Sequence, residues 1–430
     1  MSFDQIVALV VLIGVVAALI WGRVRSDVVA LTGAATLLAT GTIRPTEVQG
    51  AFASPAIIAL ASLFVIAYAM ELSGLLGALI RLATRLCARL GAVGLWIVIA
   101  LCGGASAFLN NTPIVVLGAP IVRDVAQSLQ LSPKRFLMPL SYVTVLGGAC
   151  TLIGTSTNLL VNDMARTAGQ PTFGFFEITP VGVLMALAGG LYLFLGGSRL
   201  LSRGEDGKLS EEDLRRSDDE LGDPSLYAGD PPFQALKAIT ALAVFAGVVV
   251  VAALGYAPIA AAAFSGAVLL ILLRVISPDQ AYRGLRPEIL LLIAAMVVVG
   301  LSLEVTGLAA VATDVVVEWI RPFGPLAALV VLYGITLLAT EILSNAAVAV
   351  LLTPIAVALA ENLGVSPRPF IVGVMMAASA AFATPFGYQT NVLVVKMGGY
   401  SYRDFVRIGV PLNLITWVVA AIAIPGFFPF

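Results

Sequence analysis

Asn110, Asn111 and Thr112 interrupt an apolar run that reads SAFLNNTPIVV. A second interruption, Ser344 and Asn345 in TEILSNAAVAV, comes later. Two further polar knots, LIGTSTNLLV and ATPFGYQTNVLVV, each stand between apolar limbs. Asn, Ser and Thr oxygens, joined by freed backbone carbonyls, are hard neutral ligands suited to Na+. Ser106 lies one turn before Asn110, and Thr340 one turn before Ser344, so each hydroxyl can turn toward its own interruption. Neither tip contains a carboxylate, which argues against a high-affinity divalent cation site there. Single Asn, Ser and Thr residues in membrane helices often only bond neighbouring helices. Four interruptions in symmetric register ask for more.

The elements that hold these residues must be membrane helices. The chain has 430 residues, of which 60% are apolar and 11% charged, far below the quarter charged that is usual in soluble domains. Apolar runs long enough to cross a bilayer recur throughout, so the expected class is an all-α polytopic membrane protein. A net charge of −1 gives no reason to expect nucleic acid. The absence of histidine removes His-based proton relays and His-ligated zinc. The three cysteines form no metal or redox motif, and no nucleotide loop is present. No nucleophile–base pair or paired catalytic carboxylates stand at the knots, so an enzyme is not expected. The N-terminus lacks a basic n-region, and the first helix is expected to be retained.

Two segments are too short on one limb to cross. Residues 93–130 and 324–360 read as re-entrant hairpins with tips at Asn110–Thr112 and Ser344–Ala346. Residues 134–166 and 369–397 read as helices broken at a Gly/Thr/Asn knot. The polar stretch at 201–235 divides an N-terminal membrane repeat, 1–200, from a C-terminal one, 236–430. The halves correspond at a spacing of about 233 residues: Glu71 with Glu304, Asn111 with Asn345, Pro120 with Pro354, Gly154 with Gly387, Asn158 with Asn391.

Of the 24 lysines and arginines, all but Arg44, Arg166, Arg321 and Arg368 face the cytoplasm if both termini lie outside and the hairpins re-enter. This positive-inside bias makes the linker 201–235 cytoplasmic and the repeats inverted, the plan of many secondary transporters. Arg81, Arg85 and Arg89 recur along one face of an interfacial helix. Broken helices offer N–H groups to an anion at one end and carbonyls to a cation at the other. Glu71 and Glu304 sit at helix ends and suit a structural role. Glu341 has no counterpart, since position 107 is Ala, and is a candidate for tuning cation coupling.

The motifs SAFLNNTPIVV, GGACTLIGTSTNLLVND, LSNAAVAVLLTPIA and ASAAFATPFGYQTNVLVV resemble those of the divalent anion:sodium symporters of the ion transporter superfamily. The likeness covers nearly the whole chain and favours the sulfate or anion permease branch that often carries regulatory TrkA-C domains. It implies a homodimer in the inner (plasma) membrane, scaffold and transport domains, elevator movement and sodium coupling, with no other cofactor. By motif, one sodium site uses Ser106, Asn110, Asn111, Gly154, Thr157 and Asn158. The other uses Thr340, Ser344, Asn345, Ala383, Gly387 and Asn391. Substrate is placed among Asn111, Thr112, Thr155, Asn345, Ala346, Thr384 and Pro385.

The second tip departs from the family's Ser-Asn-Thr by carrying Ala346. Losing that hydroxyl favours sulfate or a similar small oxyanion over a C4-dicarboxylate. The linker is too short for TrkA-C domains. An arsenite-permease-like or proton-coupled exporter and a passive anion channel are the alternatives.

Overall fold

A computed structural model describes residues 2–21, 23–87, 90–197, 232–311 and 321–430. Arg89 and nearly all of the 201–235 linker lie outside the described residues. Among those described the regular structure is helical.

In chain order the helices are α1 (Phe3–Trp21), α2 (Ser26–Ala39), α3 (Pro45–Phe52), α4 (Pro55–Leu72), α5 (Leu75–Cys87), α6 (Ala92–Ser106), α7 (Asn111–Ser128), α8 (Lys134–Gly148), α9 (Ser156–Thr167) and α10 (Thr179–Tyr192). The second half runs α11 (Ala235–Ala253), α12 (Ile259–Leu272), α13 (Pro278–Gly284), α14 (Pro287–Val305), α15 (Gly324–Thr340), α16 (Asn345–Leu363), α17 (Arg368–Ala378), α18 (Gln389–Gly398) and α19 (Tyr402–Phe427). Helix starts pair off along the two halves: Phe3 with Ala235, Ser26 with Ile259, Pro45 with Pro278, Asn111 with Asn345, Ser156 with Gln389. Seven of the described segments are long and apolar enough to cross a membrane.

The start signals are local chemistry. Ser54 caps α4 ahead of Pro55, and Ser277 and Ser401 cap α13 and α19 within capping boxes. Short α3 and α13 begin at a Pro and carry few apolar residues; a search for apolar runs passes over them. Helix α7 continues through Arg123 and Asp124 to Ser128, and α19 starts at Tyr402, its polar first turn held by the Ser401–Asp404 box.

Two hairpins, α6–α7 and α15–α16, and two broken helices, α8–α9 and α17–α18, form the centre. Helices α2 and α4 pack on α14 and α12, each a first-half helix against a second-half one. Helix α6 lies directly on α8, where a Cβ on Gly147 would run into the Gly103 carbonyl. Hydrogen bonds tie the broken helices of the two halves together. The Tyr142 hydroxyl donates to the Phe382 carbonyl at 2.6 Å, Ser141 Oγ donates to Asn391 Oδ1 at 2.8 Å, and the Tyr400 hydroxyl donates to the Lys134 carbonyl at 2.5 Å. All three tyrosine and serine side chains are buried.

Candidate substrate and cation site

The two hairpin tips and the two broken helices surround one cavity of about 140 Å3. Its lining includes Asn110 and Thr112 from the first tip, and Ser344, Asn345 and Ala346 from the second. Ser156 and Thr157 come from one knot, and Gly387, Tyr388 and Gln389 from the other. Arg25, Ser26, Asp27 and Glu288 close the facing wall.

Six helices begin at this cavity: α2, α7, α9, α14, α16 and α18. A helix start presents unbonded N–H groups and about half a positive charge. Helices α2 and α14 carry Asp27 and Glu288 in their first turns, which offset their own dipole ends. Helices α7, α9, α16 and α18 carry no acid in the first turn. Four uncompensated helix starts therefore meet around one space, a setting suited to an anion.

Behind each tip lies a clamp of oxygen atoms. In the first, Ser106 Oγ donates to Asn111 Oδ1, and Thr151 Oγ1 donates to the Ala107 carbonyl at the end of α6. Thr151 Oγ1 also accepts from the Gly154 N–H at 3.2 Å, and Asn158 Nδ2 donates to the Thr151 carbonyl at 2.9 Å. Asn158 Oδ1 is buried and has no hydrogen-bond partner. Glycine is required here. A Cβ on Gly154 would run into the Gly148 carbonyl and stand 2.9 Å from that of Ala107, and one on Gly148 would stand 2.5 Å from Asn111 Oδ1. Several oxygens thus crowd one small volume, with an orphaned amide oxygen beside it. That donor set fits a dehydrated monovalent cation.

The second clamp repeats the pattern. Thr340 Oγ1 donates to Asn345 Oδ1 at 2.8 Å and lies 2.7 Å from the Ala378 carbonyl at the end of α17. Thr384 Oγ1 lies 3.2 Å from the Glu341 carbonyl and accepts from the Gly387 N–H at 3.0 Å. Asn391 Nδ2 donates to the Ala381 and Thr384 carbonyls at 3.0 and 3.2 Å. One feature is added: the Glu341 carboxylate accepts from the Ala383 N–H at 2.8 Å, from Asn413 Nδ2 at 2.7 Å and from Thr384 Oγ1 at 2.8 Å.

Most residues singled out in the sequence fall on one of these three spaces, though not always where expected. Asn110, Thr112, Thr157, Ser344, Asn345, Ala346 and Gly387 line the cavity. Thr112 Oγ1 donates to Gln389 Oε1 at 3.2 Å. The Asn111 side chain turns into the first clamp and donates through Nδ2 to the Tyr388 hydroxyl at 2.7 Å. Thr155 is buried, caps α9 and meets the same hydroxyl at 3.3 Å. Ser344 Oγ caps α16 by accepting from the Ala347 N–H at 3.4 Å. Thr384, expected beside substrate, instead turns its hydroxyl to Glu341, and neither it nor Pro385 is among the residues lining the cavity.

The sequence reading missed Thr151, Tyr388, Gln389 and Asn413, and the facing wall of Arg25, Asp27 and Glu288. A signal existed for one of these: Thr-x-x-Gly-x-x-x-Asn occurs as Thr151–Asn158 and again as Thr384–Asn391.

Comparison with known proteins agrees with this architecture. The family model described as CitMHS, citrate transporter, matches residues 16–364. An uncharacterized transporter of Synechocystis sp. is 26% identical, with 90% of this chain and 91% of that one covered. Its alignment runs over 563 positions, more than the 430 residues here, so that relative carries segments this chain lacks. Sodium/sulfate cotransporter 1 of Chlamydomonas reinhardtii is 35% identical over 36% of this chain and 18% of its own length. The YdaH transporter of Alcanivorax borkumensis superposes with a TM-score of 0.63 at 14% identity, covering 88% of this chain and 86% of that one. At that identity the likeness concerns the fold.

Proposed function

The chain belongs to the citrate transporter (CitMHS) family, within the divalent anion:sodium symporters of the ion transporter superfamily, and from that membership we propose a sodium-coupled importer of a small divalent anion, sulfate before a C4-dicarboxylate. The observation that carries the reading is the meeting of four acid-free helix starts around the central cavity, flanked by two oxygen clamps. The anion sits among the helix starts. Sodium sits in the clamps, at Ser106, Asn111, Gly154 and Asn158 on one side and Thr340, Asn345, Gly387 and Asn391 on the other.

Sodium binds first. Each cation draws a tip against its knot, and the tips then define the anion site. A doubly charged anion at mid-membrane is heavily penalised alone, and the flanking cations offset that penalty. Ala346 and the relatives named sodium/sulfate cotransporters favour sulfate; the citrate label of the family model favours a carboxylate, and this is the second reading.

The cross-bonded hairpins and broken helices travel as one body against α2, α4, α12 and α14, in an elevator movement. The two halves form inverted repeats. Both termini lie outside, the linker is cytoplasmic, and the wall with Arg25, Asp27 and Glu288 faces the cytoplasm, as the distribution of basic residues favours. Two copies pair through their scaffolds in the plasma membrane.

The test is uptake of labelled sulfate, succinate and citrate into proteoliposomes, with Na+ or choline outside at fixed pH. Accumulation of sulfate that needs Na+ is expected. Uptake that persists in choline, follows the pH gradient and is lost in Glu341→Gln would establish proton coupling instead. Large uncoupled currents without accumulation would make the protein a channel.

A further inference from the structure

One side chain belongs to the second clamp by its backbone and to the first by its hydroxyl. Tyr388 stands in the second knot, beside Gly387 and just ahead of Asn391, both placed above in the second clamp. Its hydroxyl reaches across to the first half. There it accepts from Asn111 Nδ2 of the first tip at 2.7 Å and meets Thr155 Oγ1 of the first knot at 3.3 Å. Asn111 and Thr155 are both buried. The sense of the Asn111 bond is fixed: Asn111 Oδ1 already accepts from Ser106 Oγ, so the amide presents Nδ2 to the phenol.

The two knots need such a tie unequally. Thr155 and Tyr388 are counterparts, each the residue before a broken helix restarts. Thr155 holds its own helix start, its Oγ1 accepting from the Thr157 N–H at 3.4 Å. Tyr388 makes no side-chain cap bond to α18. The second knot is also the longer, running from Ser379 to Tyr388 against Ala149 to Thr155. A longer loop that ends at an uncapped helix start has more freedom to lose when a cation gathers its carbonyls. The bond to Asn111 removes part of that freedom in advance.

We propose that Tyr388 couples the two sodium clamps, so that a cation in the first raises the affinity of the second. This rests on the sodium reading above. Sodium in the first clamp draws the first tip against the first knot, and Asn111 and Thr155 then form the socket that holds the Tyr388 hydroxyl. The held phenol steadies the backbone from Gly387 to Asn391, where the second clamp takes its oxygens. By linkage the second cation favours the first by the same factor. One neutral hydrogen bond sets the size of the coupling, about 2–10-fold in sodium affinity. Tyr388 acts through Asn111 and the knot, as a positioning residue.

Sodium binding is measured without transport, as equilibrium binding of radioactive Na+ to the purified full chain in detergent, with choline as the balancing cation and chloride as the counterion. The wild-type curve is expected to be sigmoidal. Tyr388→Phe, which keeps the ring, is expected to flatten it toward a hyperbola and to raise half-saturating Na+ by about 2–10-fold. 3-Fluorotyrosine at position 388, which keeps the hydroxyl but accepts more weakly, is expected to fall between the two. Asn111→Ala cuts the link at its other end, so adding Tyr388→Phe to it is expected to shift the remaining Na+ curve no further. A hyperbolic wild-type curve, an undiminished sigmoid in Tyr388→Phe, or a second equal shift on top of Asn111→Ala would overturn the inference and leave the sodium clamps standing. A wild-type chain that binds no Na+ would overturn the sodium reading and the inference together.

Discussion

The two oxygen clamps share a frame and differ in charge. In each, a hydroxyl on the first hairpin limb bonds the tip asparagine, a threonine at the knot reaches back to the tip and accepts from a glycine N–H, and a second asparagine ties the knot's own carbonyls. The second clamp adds Glu341, braced by Asn413; the first has Ala107 and borrows a hydroxyl from Tyr388 of the other half. The backbone geometry that exposes carbonyls is common to both clamps; they differ in side chains one step removed, where a charge is added without disturbing that geometry.

The largest effect tests the shared frame. Asn111→Ala and Asn345→Ala are each expected to reduce sodium-driven uptake by ~100-fold, since the amide oxygen and its hydrogen bonds are lost together at ~2–3 kcal/mol. Monodispersity on size exclusion should survive both changes. Retention of wild-type rate and sodium affinity by either variant would remove that clamp from the mechanism.

Glu341→Gln tests the difference. It is expected to raise the half-saturating Na+ concentration by ~10-fold, because the second clamp loses its charge and one amide N–H then faces a donor. An unchanged sodium curve would make the clamps equivalent. Next come the glycines. Gly154→Ala forces a Cβ against two backbone carbonyls, whereas Gly387→Ala meets Ala381 Cβ at 2.7 Å and Thr384 Oγ1 at 2.9 Å, both on side chains. Thermal melting in detergent should place Gly154→Ala lower, each costing within ~1–3 kcal/mol. The smallest effect is at the cavity itself. Thr112→Ala is expected to weaken anion affinity ~2–10-fold, one hydrogen bond's worth, with less change in sodium affinity. Equal losses would move Thr112 out of the anion's contact shell.

Hairpins, broken helices and their tip residues were legible because a polar interruption in an apolar run has few structural explanations. Which way each side chain turns was not. Thr384 was assigned to substrate by its place in a motif, yet its hydroxyl answers to Glu341, 43 residues away in sequence. Tyr388 and Gln389 read as ordinary residues of a knot; only the crossing of the two halves brings them to Asn111 and Thr112. Arg25, Asp27 and Glu288 carry no such signal, because nothing in a linear chain says that α2 and α14 begin at the same cavity.

The bonds that join the two halves also carry a cost during synthesis. Ser141 finds its acceptor on Asn391 only after a further 250 residues have been made, an interval of roughly 10–50 s at ~5–20 residues per second. Until then the buried hydroxyls and amides of the first half sit in the bilayer with their mates still unwritten. Biogenesis therefore holds a half-built carrier that must be sheltered from proteolysis and false pairing. Co-expressing the chain as two pieces cut within 201–235 should restore uptake only when both are present in one cell.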